Sequence, residues 1–247
     1  MTAVERFPLP PEWMVQSIGG GDYRAIGQHF FELFRQYGGL NPDSATLDIG
    51  SGCGRLAIPL VDYLDPTTAY HGVDIVKPMV DWCVETITPT AANFRFHHAE
   101  LANTLYSEVG TPASEYRFEF DDGTFDFIFA TSVFTHLRPD DARNYLREVA
   151  RLLRKDGAAR AFLTFFIMND VYRQNRSTAT PPKVTFEHGG APYWVNDPDV
   201  PESICAYDEA FLFEMVREAG LILSQVSFGK WNHCRGWTFQ DVLVVSA

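Results

Sequence analysis

The chain has few cysteines, few basic residues and no long apolar run, and each shortage excludes a class of protein. Its four cysteines lie far apart and include no C-x-x-C pair, which predicts free thiols in a reducing compartment. The adjacent His97 and His98 face opposite sides of a predicted strand without a third ligand nearby, so no metal site is expected. No apolar stretch approaches the roughly 20 residues of a membrane helix, and the segment MTAVERFPLPPEW is too polar for a signal peptide. We therefore expect a cytoplasmic protein that does not bind membranes.

Acidic residues outnumber basic ones, 32 Asp and Glu against 20 Lys and Arg, for a formal net charge of −12. No basic run is longer than two residues, so the surface is expected to repel both nucleic-acid backbones and anionic lipids. A small molecule is the partner that remains. The 247 residues, 46% of them hydrophobic, suffice for one large α/β domain with insertions.

The stretch TLDIGSGCGRLAIPLV, residues 46–61, is the strongest local pattern. It begins as a short apolar strand, turns through Gly50, Gly52 and Gly54, and is predicted to continue as an amphipathic helix. Such a strand–glycine–helix unit presents backbone amides and a helix N-terminus to a ligand. The dinucleotide fingerprint G-x-G-x-x-G needs its third glycine at position 55, which is Arg. A pyrophosphate ligand is therefore disfavoured.

An acid two residues before the first glycine completes the pattern D-x-G-x-G-x-G, which resembles motif I of the class I S-adenosylmethionine-dependent methyltransferases. The resemblance implies an S-adenosylmethionine cofactor, whose sulfonium and ammonium groups are cationic and suit a carboxylate. It also implies which residues of the loop contact the cofactor: Asp48, Gly50, Ser51, Gly52, Gly54 and Arg55.

A second carboxylate supports a nucleoside ligand. AYHGVDIV, residues 69–76, is predicted as the second strand, and Asp74 lies twenty residues after Gly54. At this separation a βαβ unit places an acid next to the ribose of a bound nucleotide. An acid suits that position because one carboxylate can accept hydrogen bonds from both ribose hydroxyls. The resemblance assigns the neighbouring Ile75 to the same site.

Two later strand ends extend the resemblance. FRFHHAEL, residues 94–101, is predicted as the third strand; the family usually carries an aspartate that contacts the adenine amine where this chain has Glu100, followed by Leu101. The fourth strand, residues 125–130, leads into ATSVFTHL, which resembles the family's segment beside the methionine moiety of the cofactor. The residues assigned there are Ala130, Thr131 and Ser132.

The order of elements predicts the fold. Residues 1–39 are an irregular lead-in followed by a helix from Tyr23, and the resemblance implies that they cover the cofactor site. Residues 40–247 are expected to form the methyltransferase domain, with insertions at about 102–116 and 167–207 that form a substrate cap. The resemblance implies a cap at 167–207, whereas 102–116 could equally be a surface loop. The last two strands are separated by only about ten residues, too few for a parallel crossover, and must pair antiparallel. The prediction is an α/β fold with a doubly wound, seven-stranded, mostly parallel sheet, a C-terminal antiparallel hairpin and helices on both faces.

The expected reaction is methyl transfer to a small molecule, with O-methylation of a sugar or secondary metabolite as the first choice. A hydroxyl acceptor needs a general base, and histidine changes its charge near neutral pH. The candidate bases are His136, His188 and His233, and the candidate substrate contacts are Tyr193, Trp194 and Trp231. Packing roles for these six side chains stay open.

Three other functions remain open at this point. N- or C-methylation of a small molecule needs no different motif. A non-catalytic S-adenosylmethionine-binding protein can carry the same residues. A nicotinamide-dependent oxidoreductase shares the strand–glycine–helix unit, but Arg55 and the terminal hairpin argue against it.

Overall fold

The computed structural model describes residues 3–102, 110–175 and 181–247. The helices are α1 (Ala3–Arg6), α2 (Glu12–Ser17), α3 (Tyr23–Gln36), α4 (Lys77–Thr86), α5 (Pro139–Leu152), α6 (Asp170–Asn175) and α7 (Glu209–Glu218). The strands are β1 (Thr46–Ile49), β2 (Tyr70–Asp74), β3 (Phe94–His98), β4 (Leu101–Ala102), β5 (Thr111–Pro112), β6 (Phe127–Ala130), β7 (Arg160–Phe165), β8 (Ile167–Met168), β9 (His188–Gly190), β10 (Tyr193–Val195), β11 (Cys205–Asp208), β12 (Ile222–Ser227) and β13 (Asp241–Ser246). Short 3₁₀ helices lie at Ile58–Leu60, Phe134–His136 and Lys230–Asn232. Within these described ranges, no helix combines the length and apolar character needed to cross a lipid bilayer.

Seven strands form the main sheet in the order β12-β13-β7-β6-β1-β2-β3. In this sheet β13 alone runs opposite to the other six strands, so the predicted fold class, including the C-terminal hairpin, is confirmed. The chain leaves β1 towards β2 on one side and later returns to β6 on the other. In open α/β sheets the crevice at such a switch point, outside the carboxyl ends of the strands, is where ligands bind.

The buried core lies on both faces of this sheet because successive side chains of a strand point to opposite faces. Phe127 and Phe129 of β6 face α3, where their rings lie 5.2 and 4.5 Å from the ring of Phe34. Ile128 and Ala130 face the opposite cluster, which includes residues of α5 and α7. The central strands are thus buried on both faces.

The lead-in is more ordered than predicted. Residues 1–22 were expected to be irregular, but α1 and α2 lie within them. The predicted helix from Tyr23 is confirmed as α3, and the Asp22 carboxylate caps it by accepting from the backbone N–H groups of Arg24 and Ala25.

The helix predicted directly after the glycine loop is wrong. Residues 55–61 form turns and the 3₁₀ helix Ile58–Leu60. Pro59 has no N–H group and its ring crowds the preceding turn, which prevents a regular α-helix. Leu60 N–H instead donates to the Ala57 carbonyl at 3.0 Å, the i→i+3 pattern of a 3₁₀ helix. The third strand is also shorter than predicted, since β3 ends at His98 and Leu101 belongs to the separate β4.

The insertion at 167–207 contains a second sheet in the order β8-β11-β10-β9. A small core of its own, with Phe166, Tyr172, Phe186 and Trp231 among its members, packs this sheet and α6 against the Lys230–Asn232 turn. The insertion predicted at 102–116 holds β5, but its residues 103–109 lie outside the described residues, as do residues 176–180 of the second insertion.

Candidate functional site

The glycine loop lies at the carboxyl end of β1, as predicted. Gly50 and Gly54 have φ angles of +80° and +77°, a region that side chains with a Cβ rarely adopt. A Cβ at Gly50 would lie 2.4 Å from Val133 Cγ2, so the loop passes very close to the segment after β6. The backbone N–H groups of Gly50 and Ser51 both donate to the Val73 carbonyl, which fixes the loop against β2.

Asp74 ends β2 directly beside this loop. Its carboxylate accepts from Gly52 N–H at 2.7 Å and from Val76 N–H at 2.8 Å. Burial raises the pKa of Asp74, although these N–H donors act in the opposite direction. Each carboxylate oxygen uses one acceptor position in these bonds and keeps another for a ligand hydroxyl. The geometry is therefore suited to the predicted ribose contact.

Asp48 lies deeper, beneath the loop, with 1% of its surface exposed. The Tyr70 hydroxyl donates to its Oδ2 at 2.6 Å, and Oδ1 has no hydrogen-bond partner among the described residues. Burial raises the pKa of Asp48 to about 8, against the opposing effect of the Tyr70 hydrogen bond. The sequence reasoning missed Tyr70; the only available signal was that Tyr70 and Asp48 lie near each other on adjacent parallel strands.

Arg55 joins the lead-in to the loop. Its guanidinium donates to the carbonyls of Ile18 at 2.9 Å and Gly20 at 3.1 Å. The Tyr23 hydroxyl donates to the Cys53 carbonyl at 2.7 Å from the start of α3. The lead-in therefore lies over the glycine loop, and Arg55, predicted to bind the cofactor, is directed at the lead-in.

The other predicted cofactor residues lie at neighbouring strand ends. Ile75 follows β2, and its carbonyl lies 3.1 Å from His98 Nε2. Glu100 is exposed, while Leu101 is buried in the core beside the sheet. Ala130 ends β6 and is fully buried, and Thr131 is partly exposed.

Ser132 has an unusual backbone and a side chain turned towards the last strand. Its φ is +57°, one of two positive values for non-glycine residues in the described part of the chain. Ser132 N–H donates to Thr164 Oγ1 at 2.8 Å, and Ser132 Oγ lies 3.2 Å from Gln240 Oε1. Neither Thr164 nor Gln240 was identified from the sequence.

His136 ends the 3₁₀ helix that follows β6. Its Nδ1 lies 3.0 Å from the backbone carbonyl of Glu202, in the second insertion. Because a carbonyl only accepts hydrogen bonds, Nδ1 carries the proton and Nε2 of the neutral ring holds the free lone pair. No described residue forms a hydrogen bond with Nε2. Arg138 also reaches this segment, with Nε 3.4 Å from the Glu202 carboxylate.

Of the remaining candidates, Tyr193 adjoins the segment that His136 contacts, because its hydroxyl donates to the Pro201 carbonyl at 3.4 Å. His188 is exposed on β9, and Tyr193 and Trp194 are half-buried on β10. His233 Nε2 lies 2.9 Å from the Pro181 carbonyl. Trp231 is fully buried, and its Nε1 donates to Asp241 Oδ2 at 2.9 Å. In this arrangement Trp231 presents no surface to a substrate.

The residues around the loop fit S-adenosylmethionine. Asp74 keeps acceptor positions for a diol, and the absence of a Cβ at Gly50 and Gly54 lets the loop pack closely against neighbouring side chains of the protein. Two buried oxygens, Asp48 Oδ1 and Ser51 Oγ, have no partner among the described residues, which is expected where a polar ligand completes the site.

Comparison with known proteins agrees with this geometry. Residues 46–157 match the family model described as a methyltransferase domain. A 138-residue segment is 28% identical to phosphoethanolamine N-methyltransferase 2 from Caenorhabditis elegans and covers 55% of this chain. That segment spans only 27% of the relative's length.

Solved structures share the fold at low identity. PH0226 from Pyrococcus horikoshii OT3 aligns with a TM-score of 0.60 and 15% identity over 93% of this chain and 92% of its own. The CcbJ methyltransferase from Streptomyces caelestis gives a TM-score of 0.57 and 16% identity over 100% and 96%. A SAM-dependent methyltransferase from Aquifex aeolicus gives a TM-score of 0.57 and 16% identity over 97% and 100%. At such identities these likenesses establish the fold alone.

Proposed function

Because this chain carries the domain of the class I S-adenosylmethionine-dependent methyltransferases, with S-adenosylmethionine as its cofactor, we propose that it O-methylates a hydroxyl of a small molecule with His136 as the general base. The observation that carries the proposal is the orientation of the His136 ring. The bond from Nδ1 to the Glu202 carbonyl holds one tautomer and leaves Nε2 able to accept a proton.

Each part of the proposed site has its own role in the reaction. The cofactor supplies an activated methyl group on a sulfonium. That cofactor is held by the glycine loop, Asp48 and Asp74. The lead-in, which Arg55 binds through two backbone carbonyls, covers it. The second insertion caps the acceptor, so that the hydroxyl is held in line with the methyl group and shielded from water. His136 Nε2 removes the hydroxyl proton as the new bond forms.

The surface charge and the cysteines support the choice of acceptor and setting. A net charge of −12 disfavours nucleic-acid acceptors. All four cysteines are free thiols in the structure, which supports a reducing, cytoplasmic setting.

N-methylation of an amine is the second candidate, favoured by the name of the Caenorhabditis elegans relative. An amine acceptor needs no base once it is neutral, whereas a hydroxyl gains from proton removal in the transition state. Loss of the base therefore distinguishes the two.

The substitution His136→Asn tests the proposal sharply, because the asparagine amide can still donate to the Glu202 carbonyl while Nε2 is lost. We expect turnover of hydroxyl acceptors to fall by about 10²–10⁴-fold. Affinity for S-adenosylhomocysteine, measured by calorimetry, is expected to stay unchanged. Turnover is measured as S-adenosylhomocysteine released with a panel of sugars and phenols.

Two matched controls are His188→Asn and His233→Asn, the other candidate bases. Full activity in both, with loss only at position 136, supports the proposal. Normal turnover by His136→Asn, or methylation of phosphoethanolamine but of no hydroxyl, contradicts it. If calorimetry showed binding of NADH and none of S-adenosylhomocysteine, the result would favour a nicotinamide-dependent oxidoreductase.

A further inference from the structure

Gln240 lies at the ligand-binding edge of the main sheet, although nothing in its local sequence predicts this. It precedes β13, whose first residue Asp241 pairs with Phe165 at the carboxyl end of β7. Ser132 follows the carboxyl end of β6, the next strand in the sheet. The antiparallel direction of β13 therefore delivers Gln240 to the same edge as the glycine loop.

Three uncharged side chains meet there in one hydrogen-bond network. Thr164 is fully buried; its Oγ1 accepts from Ser132 N–H and donates to Gln240 Oε1 at 2.6 Å. Ser132 Oγ also donates to Gln240 Oε1. Because the hydroxyls of Ser132 and Thr164 both donate to Oε1, the orientation of the Gln240 amide is fixed. The two protons on its Nε2 remain available to a ligand. No described residue accepts from Nε2, and Ser132 Oγ keeps its lone pairs.

The backbone of Ser132 is held in a costly conformation to form this network. A non-glycine residue at φ +57° is strained, and this conformation persists only when its surroundings hold it. The Thr164 bond to Ser132 N–H provides that restraint. Such conformations cluster at ligand-binding sites, so the strain agrees with a role in binding.

The neighbouring Asp241 fixes Gln240 from the other side. Its carboxylate, 1% exposed, accepts from Gly229 N–H, Trp231 Nε1–H and Ile167 N–H. Ile167 begins the second sheet, so Asp241 ties both sheets together next to Gln240. The amide of Gln240 thus extends from a rigid point between the two sheets.

The remaining groups define the chemistry of the ligand. Nε2 of Gln240 offers donors and Oγ of Ser132 offers acceptors, and a hydroxyl is a group that satisfies both at once. A phosphate or carboxylate only accepts, and an ammonium only donates. We propose that Gln240 and Ser132 form a subsite for a hydroxyl adjacent to the one that is methylated, so that the acceptor is a neutral polyhydroxylated molecule of the sugar class. This inference rests on the proposed function for the reaction, but the subsite itself binds without turnover.

The test uses the full chain with S-adenosylhomocysteine and three probes: the methyl α-pyranosides of D-glucose, D-mannose and D-galactose. Gln240→Glu keeps an acceptor for Ser132 and Thr164 but removes both amide protons. Gln225→Glu makes the same change on the exposed edge strand β12 and serves as the matched control. Binding is followed by saturation-transfer difference NMR, with phosphoethanolamine as the charged comparator.

At least one pyranoside is expected to bind, with an affinity about tenfold weaker in Gln240→Glu and unchanged in Gln225→Glu. Ser132→Gly is expected to weaken binding as well; because glycine accepts a positive φ, its thermal stability should be retained or raised. Equal affinity in Gln240→Glu and wild type, or no pyranoside bound by the wild type, overturns the subsite. Gln240-dependent binding without methyl transfer refutes only the proposed reaction, whereas transfer that is independent of Gln240 refutes only the subsite.

Discussion

We call the residues proposed to hold the cofactor the cofactor side and those proposed to bind the acceptor the acceptor side, and the two are built in different ways. On the cofactor side, the glycine loop, Asp48 and Asp74 are held by contacts within a single strand–loop–strand unit, residues 46–76. On the acceptor side, several anchoring contacts join segments far apart in the chain, such as His136 with Glu202 and Asp241 with Ile167. A short sequence pattern can encode the carboxylate contacts of the first side, whereas the long-range contacts of the second side exist only once the whole sheet has formed.

The largest effect that this comparison predicts is on the glycine loop. Gly50→Ala introduces a Cβ 2.4 Å from Val133 Cγ2 at a φ of +80°. The backbone strain alone costs about 1–2 kcal/mol, and displacement of Val133 adds to it. We expect affinity for S-adenosylhomocysteine, measured by calorimetry, to fall by about 100-fold.

The matched control for this change is Gly190→Ala on the acceptor side, where a Cβ meets nothing within 4 Å. It is expected to leave cofactor affinity unchanged. Similar losses in both variants would show that the two sides are not independent.

The next effect concerns the second carboxylate. Asp74→Asn replaces one acceptor oxygen by an NH₂ group, which opposes the N–H donor of either Gly52 or Val76. Loss of hydrogen bonds to a charged group costs about 1.5–3 kcal/mol, so affinity for S-adenosylhomocysteine should fall by about tenfold or more. Asp81→Asn on α4, where the carboxylate is exposed and paired with Lys77, is the control. Unchanged affinity in Asp74→Asn would remove this residue from the site.

A third change acts on the junction between the two sides. Asp241→Asn weakens the bonds to Gly229, Trp231 and Ile167, and we expect the free energy of unfolding in urea to fall by about 1–2 kcal/mol. Cofactor affinity should change less than turnover, because Asp241 lies on the acceptor side. Asp199→Asn, at an exposed position of the second insertion, is the control. A loss of cofactor binding without a loss of stability would contradict this assignment.

The same division explains which features the sequence could predict. The strand β1, the position of Asp74 and the antiparallel hairpin follow from local spacing, and the structure has them. The helix expected after the loop failed because Pro59 lies within it, a signal that was present in the sequence but outweighed by the apolar pattern.

The acceptor side resisted prediction for a physical reason. Gln240 and Thr164 become neighbours only because β13 runs antiparallel to β7, and nothing within either segment records that pairing. Trp231, an obvious candidate for substrate contact, fills the small core of the insertion instead, since a large aromatic side chain with one polar atom suits both environments equally well.

The last predicted effect is a pH dependence of stability that is measured at Asp48, on the cofactor side. Asp48 has a pKa of about 8 in the folded chain because it is buried, against about 3.9 for an unfolded aspartate. Between these values the folded chain holds a proton that the unfolded chain has released, so stability falls as pH rises from about 4 to about 8. Asp48→Asn removes this contribution, while the Asp241 carboxyl, whose pKa is raised to about 7 by burial, titrates in both chains and cancels.

The free energy of unfolding in urea is therefore measured for wild type and Asp48→Asn at both pH 5 and pH 8. The stability of the wild type relative to Asp48→Asn should fall by at least about 1 kcal/mol between the two pH values. Tyr70→Phe deletes the one hydrogen bond that lowers the pKa of Asp48, and should extend the fall above pH 8. Parallel pH profiles for wild type and Asp48→Asn would mean that Asp48 is ionised at both pH values. The buried carboxylate would then carry its charge without the cofactor, instead of losing a proton when the cationic cofactor binds.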